Sequence, residues 1–284
     1  MGLARTLFDC DKDDSQSILS GGLKNLYDGD LRFGTPPAGR PYVIANFVST
    51  LDGVASYQIE GRSSGSVISG SNPTDRFIMG LLRASADAIV IGAATAQDVS
   101  AKSVWTPESV YPDAKQLYAD FRQSTLHKPQ YPLLVIVSGS GRLELERAIF
   151  HTPAMRALVI TTAAGEDELA RRGAAALTSV EVRTLESSGS GIDPPAILQL
   201  LESQFGVKTL LHEGGPKLFG QFLAAGVMNE LFLTLSPHIA GRGACAMRPG
   251  IVQGAAFSPE SSLRFQTVSV KQDGAFLYLR YRRD

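Results

Sequence analysis

The sequence predicts an α/β fold: a mostly parallel central sheet, helices on its flanks and an antiparallel hairpin near the C-terminal end. Two observations carry that expectation. Short β-branched and aliphatic runs, suited to strands buried on both faces, alternate with helical patterns. Towards the end, two strand-like runs flank Gln272-Asp273-Gly274, a hairpin signal. With 44% hydrophobic and 19% charged residues in 284, the chain has material for a sizeable core, which excludes wholesale disorder.

The elements follow in order. Residues 1–40 read as an extension, because Asp, Ser and Gly dominate them and Thr35-Pro36-Pro37 resists both helix and strand. Residues 41–284 read as the body. Tyr42–Val48 is the first strand, and Asp75–Ala84 a helix with Phe77, Ile78, Leu81 and Leu82 on one stripe. Strands are expected at Ala88–Gly92, Pro132–Ser138, Ala157–Thr161 and Val180–Leu185, with helices at Leu143–Phe150 and Glu166–Arg172. Asp193–Phe205 is a helix with Asp193 placed to cap it, Pro194 in its first turn and Gly206 to end it. Val207–His212 is a strand, Pro216–Ala225 a helix stopped by Gly226, and Glu230–Ser236 a strand. Arg264–Lys271 and Ala275–Tyr281 form the hairpin. The proline-bearing stretch 99–130 reads as a substrate-side insertion with one helix at Asp113–Arg122, and Ser187–Gly191 as a flexible connection.

Charge and cysteine usage narrow the function classes. A net charge of -1 gives no broad cationic field for nucleic acid or an anionic membrane. Two cysteines, Cys10 and Cys245, suggest no disulfide framework and fit a reducing compartment, the cytoplasm. No apolar run approaches the roughly 20 residues of a membrane span. The histidines have no cysteine partners at ligand spacing, so no metal site is expected. No phosphate loop ending in Gly-Lys-Ser/Thr occurs.

Several segments can carry chemistry. In Leu210-Leu-His-Glu-Gly-Gly-Pro-Lys-Leu-Phe-Gly220 a strand runs through Gly214 and Gly215 straight into a helix. Such a turn offers free amides to a nucleotide phosphate, although a tight strand–helix turn without ligand accounts for it equally. Ala88–Thr95 again ends a strand in small residues with a hydroxyl at a helix start. In open sheets ligands gather beyond such ends. After the first strand, Ser49 and Thr50 can bond a cofactor, whereas Asp52 suits a turn. His212 fits a core or sheet-edge place better than a catalytic one, and Trp105 either walls a substrate pocket or pins its loop.

Taken in order, these segments resemble the reductase domain of riboflavin biosynthesis, a branch of the dihydrofolate-reductase-like superfamily. Ser49-Thr-Leu-Asp-Gly53 resembles that family's "SLDG" turn. Gly61-Arg-Ser-Ser-Gly65 with Asp75–Ala88 resembles its "LRA…DA" unit, and Ile91–Thr95 its "GAGT". His212–Phe219, Gly226–Leu231 and Ser236–Gly241 resemble "EGG…L…GLVDEL…P…G". The resemblance implies a dihydrofolate-reductase-like fold, a homodimer, and NADPH-dependent reduction of a ribosylamino-pyrimidine phosphate. Ser49, Thr50, Gly92, Ala93 and Thr95 would then face the cofactor, and Gly214, Gly215, Lys217, Leu218 and Phe219 would wrap its phosphates. Ser138 and Arg142, with Thr161 and Thr162 competing, would hold the adenosine ribose or its 2′-phosphate. Glu213 and Asp75 are the catalytic candidates and, with Asn46 and Ser69, the substrate-side ones.

The sequence departs from the family at two places. Val99 stands where an acidic residue commonly follows the "GAGT" threonine, with Asp98 one place early, and the segment that grips the substrate phosphate is replaced by the 99–130 insertion. Asn46 stands where some members carry lysine. A pterin or other small heterocycle as substrate is one alternative, and a non-catalytic NADP-binding module another.

Overall fold

Strand formation follows burial on both faces. The computed structural model describes residues 2–11, 18–19, 21–59, 63–98, 100, 102–189, 191–243 and 248–284; Gly61 and Arg62 of the family-like motif, Val99 and Cys245 lie outside these, as does the Asp98 side chain. In chain order the strands are β1 (Arg5–Asp9), β2 (Tyr42–Ser49), β3 (Ala88–Gly92), β4 (Leu133–Val137), β5 (Ala157–Thr161) and β6 (Val180–Thr184). They continue with β7 (Ser187–Ser188), β8 (Gly191–Ile192), β9 (Thr209–His212), β10 (Glu230–Leu235), β11 (Phe265–Asp273) and β12 (Phe276–Arg283). The helices begin with α1 (Gly21–Tyr27), α2 (Ser64–Ser69), α3 (Pro73–Ser85), α4 (Ala93–Asp98) and α5 (Pro107–Val110). They end with α6 (Lys115–Asp120), α7 (Ala163–Arg171), α8 (Pro194–Phe205) and α9 (Pro216–Ala224).

One ten-stranded sheet runs β1-β11-β12-β10-β2-β9-β3-β4-β5-β6. From β10 to β6 every neighbouring pair is parallel, while β12, β11 and β1 are added antiparallel. The mostly parallel α/β sheet with an antiparallel hairpin is therefore as the sequence predicts. Alternate residues of the parallel strands enter two cores. Ile44, Ile89, Ile91, Ile136 and Leu211 pack with α1, α3 and the 99–130 segment. Val43, Val90, Val135, Ile160 and Leu210 pack with α8 and α9.

Four local expectations are corrected. Residues before Pro41 are not a bare extension: β1 pairs with β11, and Leu19, Leu23, Tyr27 and Leu31 enter the core. The helix expected over 143–150 shrinks to a 3₁₀ turn at Ala148–Phe150. Leu143 and Leu145 are buried with Glu144 exposed between them, an alternation of extended chain rather than of helix. Ser187–Gly191 falls largely within a small antiparallel pair, β7 with β8, instead of a flexible connection. Asp193 precedes α8 as expected, yet its side chain makes no capping hydrogen bond.

Residues 102–130 of the insertion carry α5, α6 and a π-helical turn at Phe121–Thr125, docked on α3. No helix among the described residues is long and apolar enough to cross a membrane.

Candidate active site

The parallel strands β2, β9, β3, β4 and β5 point their carboxyl ends to one edge of the sheet, so the expected residues at 49–50, 213–215, 92–95, 138 and 161 share that edge. At its centre Gly214 lies directly on β3. A Cβ there would stand 2.6 Å from the Gly92 nitrogen and 2.8 Å from the Ile91 carbonyl carbon, with Ile91 Cα nearer still. Glycine is thus required at 214 by chain against chain. Gly215 has φ +53°, and a Cβ on it would lie 3.2 Å from Thr95 Oγ1. The starts of α4 and α9 are thereby side by side, and the two small-residue turns open on one crevice. Lys217 is exposed there, but Leu218 and Phe219 turn inward. Phe219 packs on Phe47 and His212 with centroids 4.5 and 5.4 Å away, so those two residues offer the crevice only their backbone.

His212 belongs to that core. Burial holds its pKa down at about 3, so it stays neutral. Ser49 and Thr50 are buried, and the Thr50 hydroxyl is already committed to Asp52 Oδ1 at 2.6 Å. Asp52 also accepts from the amides of Ala240 and Gly241 at 3.0 and 2.8 Å. The Thr50 hydroxyl and these amides keep its pKa near 2, which makes it the expected turn residue, joining the chain after β2 to that after β10.

On the β4–β5 side, Thr161 donates to the Ser138 carbonyl at 2.6 Å, and Thr162 caps α7 through Gly165. The buried Ser138 hydroxyl has no hydrogen-bond partner among the described residues. Arg142 is exposed nearby, its carbonyl taken by Gln97.

A second group lies on the α3 face. Asp75, in the first turn of α3, is 4% exposed. Burial pushes its carboxyl above the usual range; the nearby hydroxyls of Thr234 and Ser69 and the Arg76 charge oppose this, and Glu213 reinforces it. Both Glu213 oxygens accept from Arg83: Nε lies 3.0 Å from each, and Nη2 2.7 Å from Oε2. Each side chain is 6% exposed. Asn46 is half-buried and lines a cavity of about 10 Å³ with Thr234, Lys271 and Tyr278. The sequence did not single out Arg83, because a lone arginine between Leu82 and Ala84 reads as a solvated helix charge. Its partner lies 130 residues away.

These features define an α/β sheet protein with its candidate site at the carboxyl ends of the strands, where such sheets bind ligands. The chain belongs to the RibD C-terminal domain family, whose description matches residues 41–278, and its sheet carries that family's dihydrofolate-reductase-like fold.

Solved structures agree on the fold. A pyrimidine reductase-like protein from Corynebacterium diphtheriae is 21% identical with TM-score 0.65, over 86% of this chain and 92% of that one. RibD from Acinetobacter baumannii is 22% identical with TM-score 0.58 over 87% of this chain, which spans 59% of that protein's length. The Thermotoga maritima diaminohydroxyphosphoribosylaminopyrimidine deaminase/5-amino-6-(5-phosphoribosylamino)uracil reductase is 20% identical with TM-score 0.55, over 86% of this chain and 57% of that one. No curated protein matches the chain in sequence.

Proposed function

We infer that the protein is an NADPH-dependent reductase of the riboflavin pathway, acting on 5-amino-6-(5-phosphoribosylamino)uracil or a close relative. The observation that carries this is the juxtaposition of the Gly92–Thr95 and Gly214–Lys217 turns on one crevice. Family membership supports it, as does the substrate named for the Thermotoga maritima protein.

The residues present fit the cofactor. Gly215, without a side chain, opens the start of α9 beside the Thr95 hydroxyl, which suits a phosphate. The unpartnered Ser138 hydroxyl, beside exposed Arg142, suits the adenosine ribose or its 2′-phosphate. When bound, the nicotinamide supplies the hydride. The chain's own task is to orient the substrate and move a proton. Asp75, whose carboxyl burial pushes above its usual range, is the group to pass a proton to the sugar. Glu213 is fully engaged by Arg83 and serves to orient. The reading carries with it a cytoplasmic homodimer, which sedimentation of the purified protein tests.

Calorimetry with NADPH, followed by absorbance at the reduced nicotinamide band with the uracil substrate, tests the function. Saturable binding and turnover are expected; no binding at millimolar NADPH sinks the reading. One observation favours a changed substrate: Trp105, Thr106 and Ser109 of the insertion close around Arg83. Oxidation of NADPH with dihydrofolate but not with the uracil substrate would select that alternative.

A further inference from the structure

We propose that residues 102–130 are a fixed wall beside the group Asp75, Arg83 and Glu213 and that Arg122 is its positioning residue, setting Arg83 against Glu213. The inference rests on the reading of that group as the substrate side of the site. Arg122 is 1% exposed, and its Nη1 reaches the carbonyls of Arg83, Ala84 and Ala86 at 3.4, 3.0 and 2.5 Å. Nε ties the same guanidinium to the Pro129 carbonyl at 2.7 Å. Lys128 Nζ takes the Ser85 carbonyl at 2.6 Å and the Asp87 carboxylate at 2.9 Å. The carbonyls that end α3, from Arg83 to Ala86, are thus all held by two cations of the insertion, where the helix dipole favours positive charge.

The same insertion grips the Arg83 side chain. Arg83 Nη1 donates to the Thr106 carbonyl at 3.3 Å and Ser109 Oγ at 3.2 Å, and its guanidinium lies 5.8 Å from the Trp105 ring centroid. Backbone and side chain of Arg83 are therefore both fixed by residues 105–129, and Glu213 takes its place from Arg83. A mobile lid would not bury an arginine among helix-end carbonyls. A wall built before substrate arrives would.

Trp105 is the chain's one tryptophan, so its fluorescence reports on the wall alone. Arg122→Met and Arg122→Lys are compared for acrylamide quenching, and for KM and kcat with 5-amino-6-(5-phosphoribosylamino)uracil and NADPH well below each variant's melting temperature. In Arg122→Met, quenching should rise about threefold and KM about tenfold, with kcat within about threefold, since uniform binding is what is lost. Arg122→Lys, which can still donate to the carbonyls, should recover part of both. Ser109→Ala removes one Arg83 acceptor without touching Arg122; it should shift both readouts the same way by less, and it keeps the test open if Arg122→Met does not fold. Wild-type quenching and wild-type KM in the folded variants would overturn the proposal, as would a fall in melting temperature with KM unmoved. If the wild type fails to turn over this substrate, the functional reading falls, while unchanged or raised quenching still decides whether Arg122 sets the wall.

Discussion

Gly214 offers the sharpest test of how the crevice is built. Replacing it by alanine puts a methyl group 2.6 Å from the Gly92 nitrogen and 2.8 Å from the Ile91 carbonyl carbon. Ordinary Cβ contacts begin at 3.4 Å and Ile91 Cα lies nearer than either of these atoms, so the turn and β3 must separate by more than 0.8 Å. These are backbone atoms of a strand paired on both sides, with β9 and β4, so no rotamer change relieves the overlap. Overpacking of a core costs typically 1–3 kcal/mol, and the absence of a flexible neighbour puts Gly214→Ala at about 3 kcal/mol. For a chain of this size that is a fall in Tm of roughly 5 °C. Because the same shift parts the starts of α4 and α9, the NADPH dissociation constant should rise at least about tenfold, or 1.4 kcal/mol. Gly92→Ala is the control: its nearest foreign atoms are Leu218 Cβ and Cδ2 at 3.9 and 4.0 Å, so stability should stay within about 0.5 kcal/mol of wild type. Urea unfolding and titration calorimetry at one salt concentration read both quantities. A Gly214→Ala protein as stable as the Gly92→Ala protein would refute the close approach of β9 to β3, and with it the shared crevice.

Three further outcomes are expected. Glu230→Gln should cost roughly 3–5 kcal/mol and loosen β1, since Glu230 is 0% exposed and accepts from Tyr42, Arg280 and Arg282 at 2.7, 2.7 and 2.8 Å; hydrogen exchange in β1 at wild-type rates would contradict this. His212 titrates near 3 in the fold against an ordinary 6.5, so the unfolded chain binds the extra proton and stability falls as pH drops below 6.5. The slope approaches about 1.4 kcal/mol per pH unit, and His212→Phe should flatten it in urea unfolding between pH 6.5 and 5. Burial lowers Lys271 from 10.5 to about 8, a penalty of about 3 kcal/mol below pH 8. Stability should therefore rise as pH climbs from 8 towards 10.5, and a Lys271→Met protein showing the same rise would refute that assignment.

Alternation of strands and helices was legible because strands covered on both faces are continuous apolar runs, as in Ala88–Gly92 and Leu133–Val137. Their order in space was not. β9 lies between β2 and β3, a placement set by packing across more than a hundred residues of chain. β1 escaped notice because it is short, mostly exposed and set among polar residues, so no apolar period marks it. A helix was expected over Leu143–Phe150, yet the chain at Leu143–Leu145 buries alternate residues. The glycine turns could be read because their constraint is local: a residue without a side chain is needed wherever the neighbouring strand lies. Which of the Ser138 and Thr161 hydroxyls lacks a partner could not be read, since Thr161 is occupied only through the Ser138 carbonyl, brought beside it by the β4–β5 pairing.

The two walls of the candidate site differ in how they are made, and that difference bears on what can vary. The crevice wall is backbone: the Gly92–Thr95 and Gly214–Lys217 turns, close in space because Gly214 lets β9 lie on β3. Substitutions elsewhere on the surface leave such a wall unchanged. The α3-side wall is assembled from three separated stretches: the Asp75 and Arg83 side chains on α3, the Thr106 carbonyl and Ser109 hydroxyl in the insertion, and the Glu213 side chain after β9. Its Arg83–Glu213 pair is buried, so neither member can be exchanged singly without stranding a charge. On the proposed function, remodelling the insertion is then a route by which the substrate side can change while the glycine-turn crevice stays as it is. It follows that a chimera carrying a different 99–130 segment should keep NADPH affinity within about threefold, since the crevice residues are untouched, and lose the uracil substrate. Loss of cofactor binding in a folded chimera would show that the two walls are a single unit.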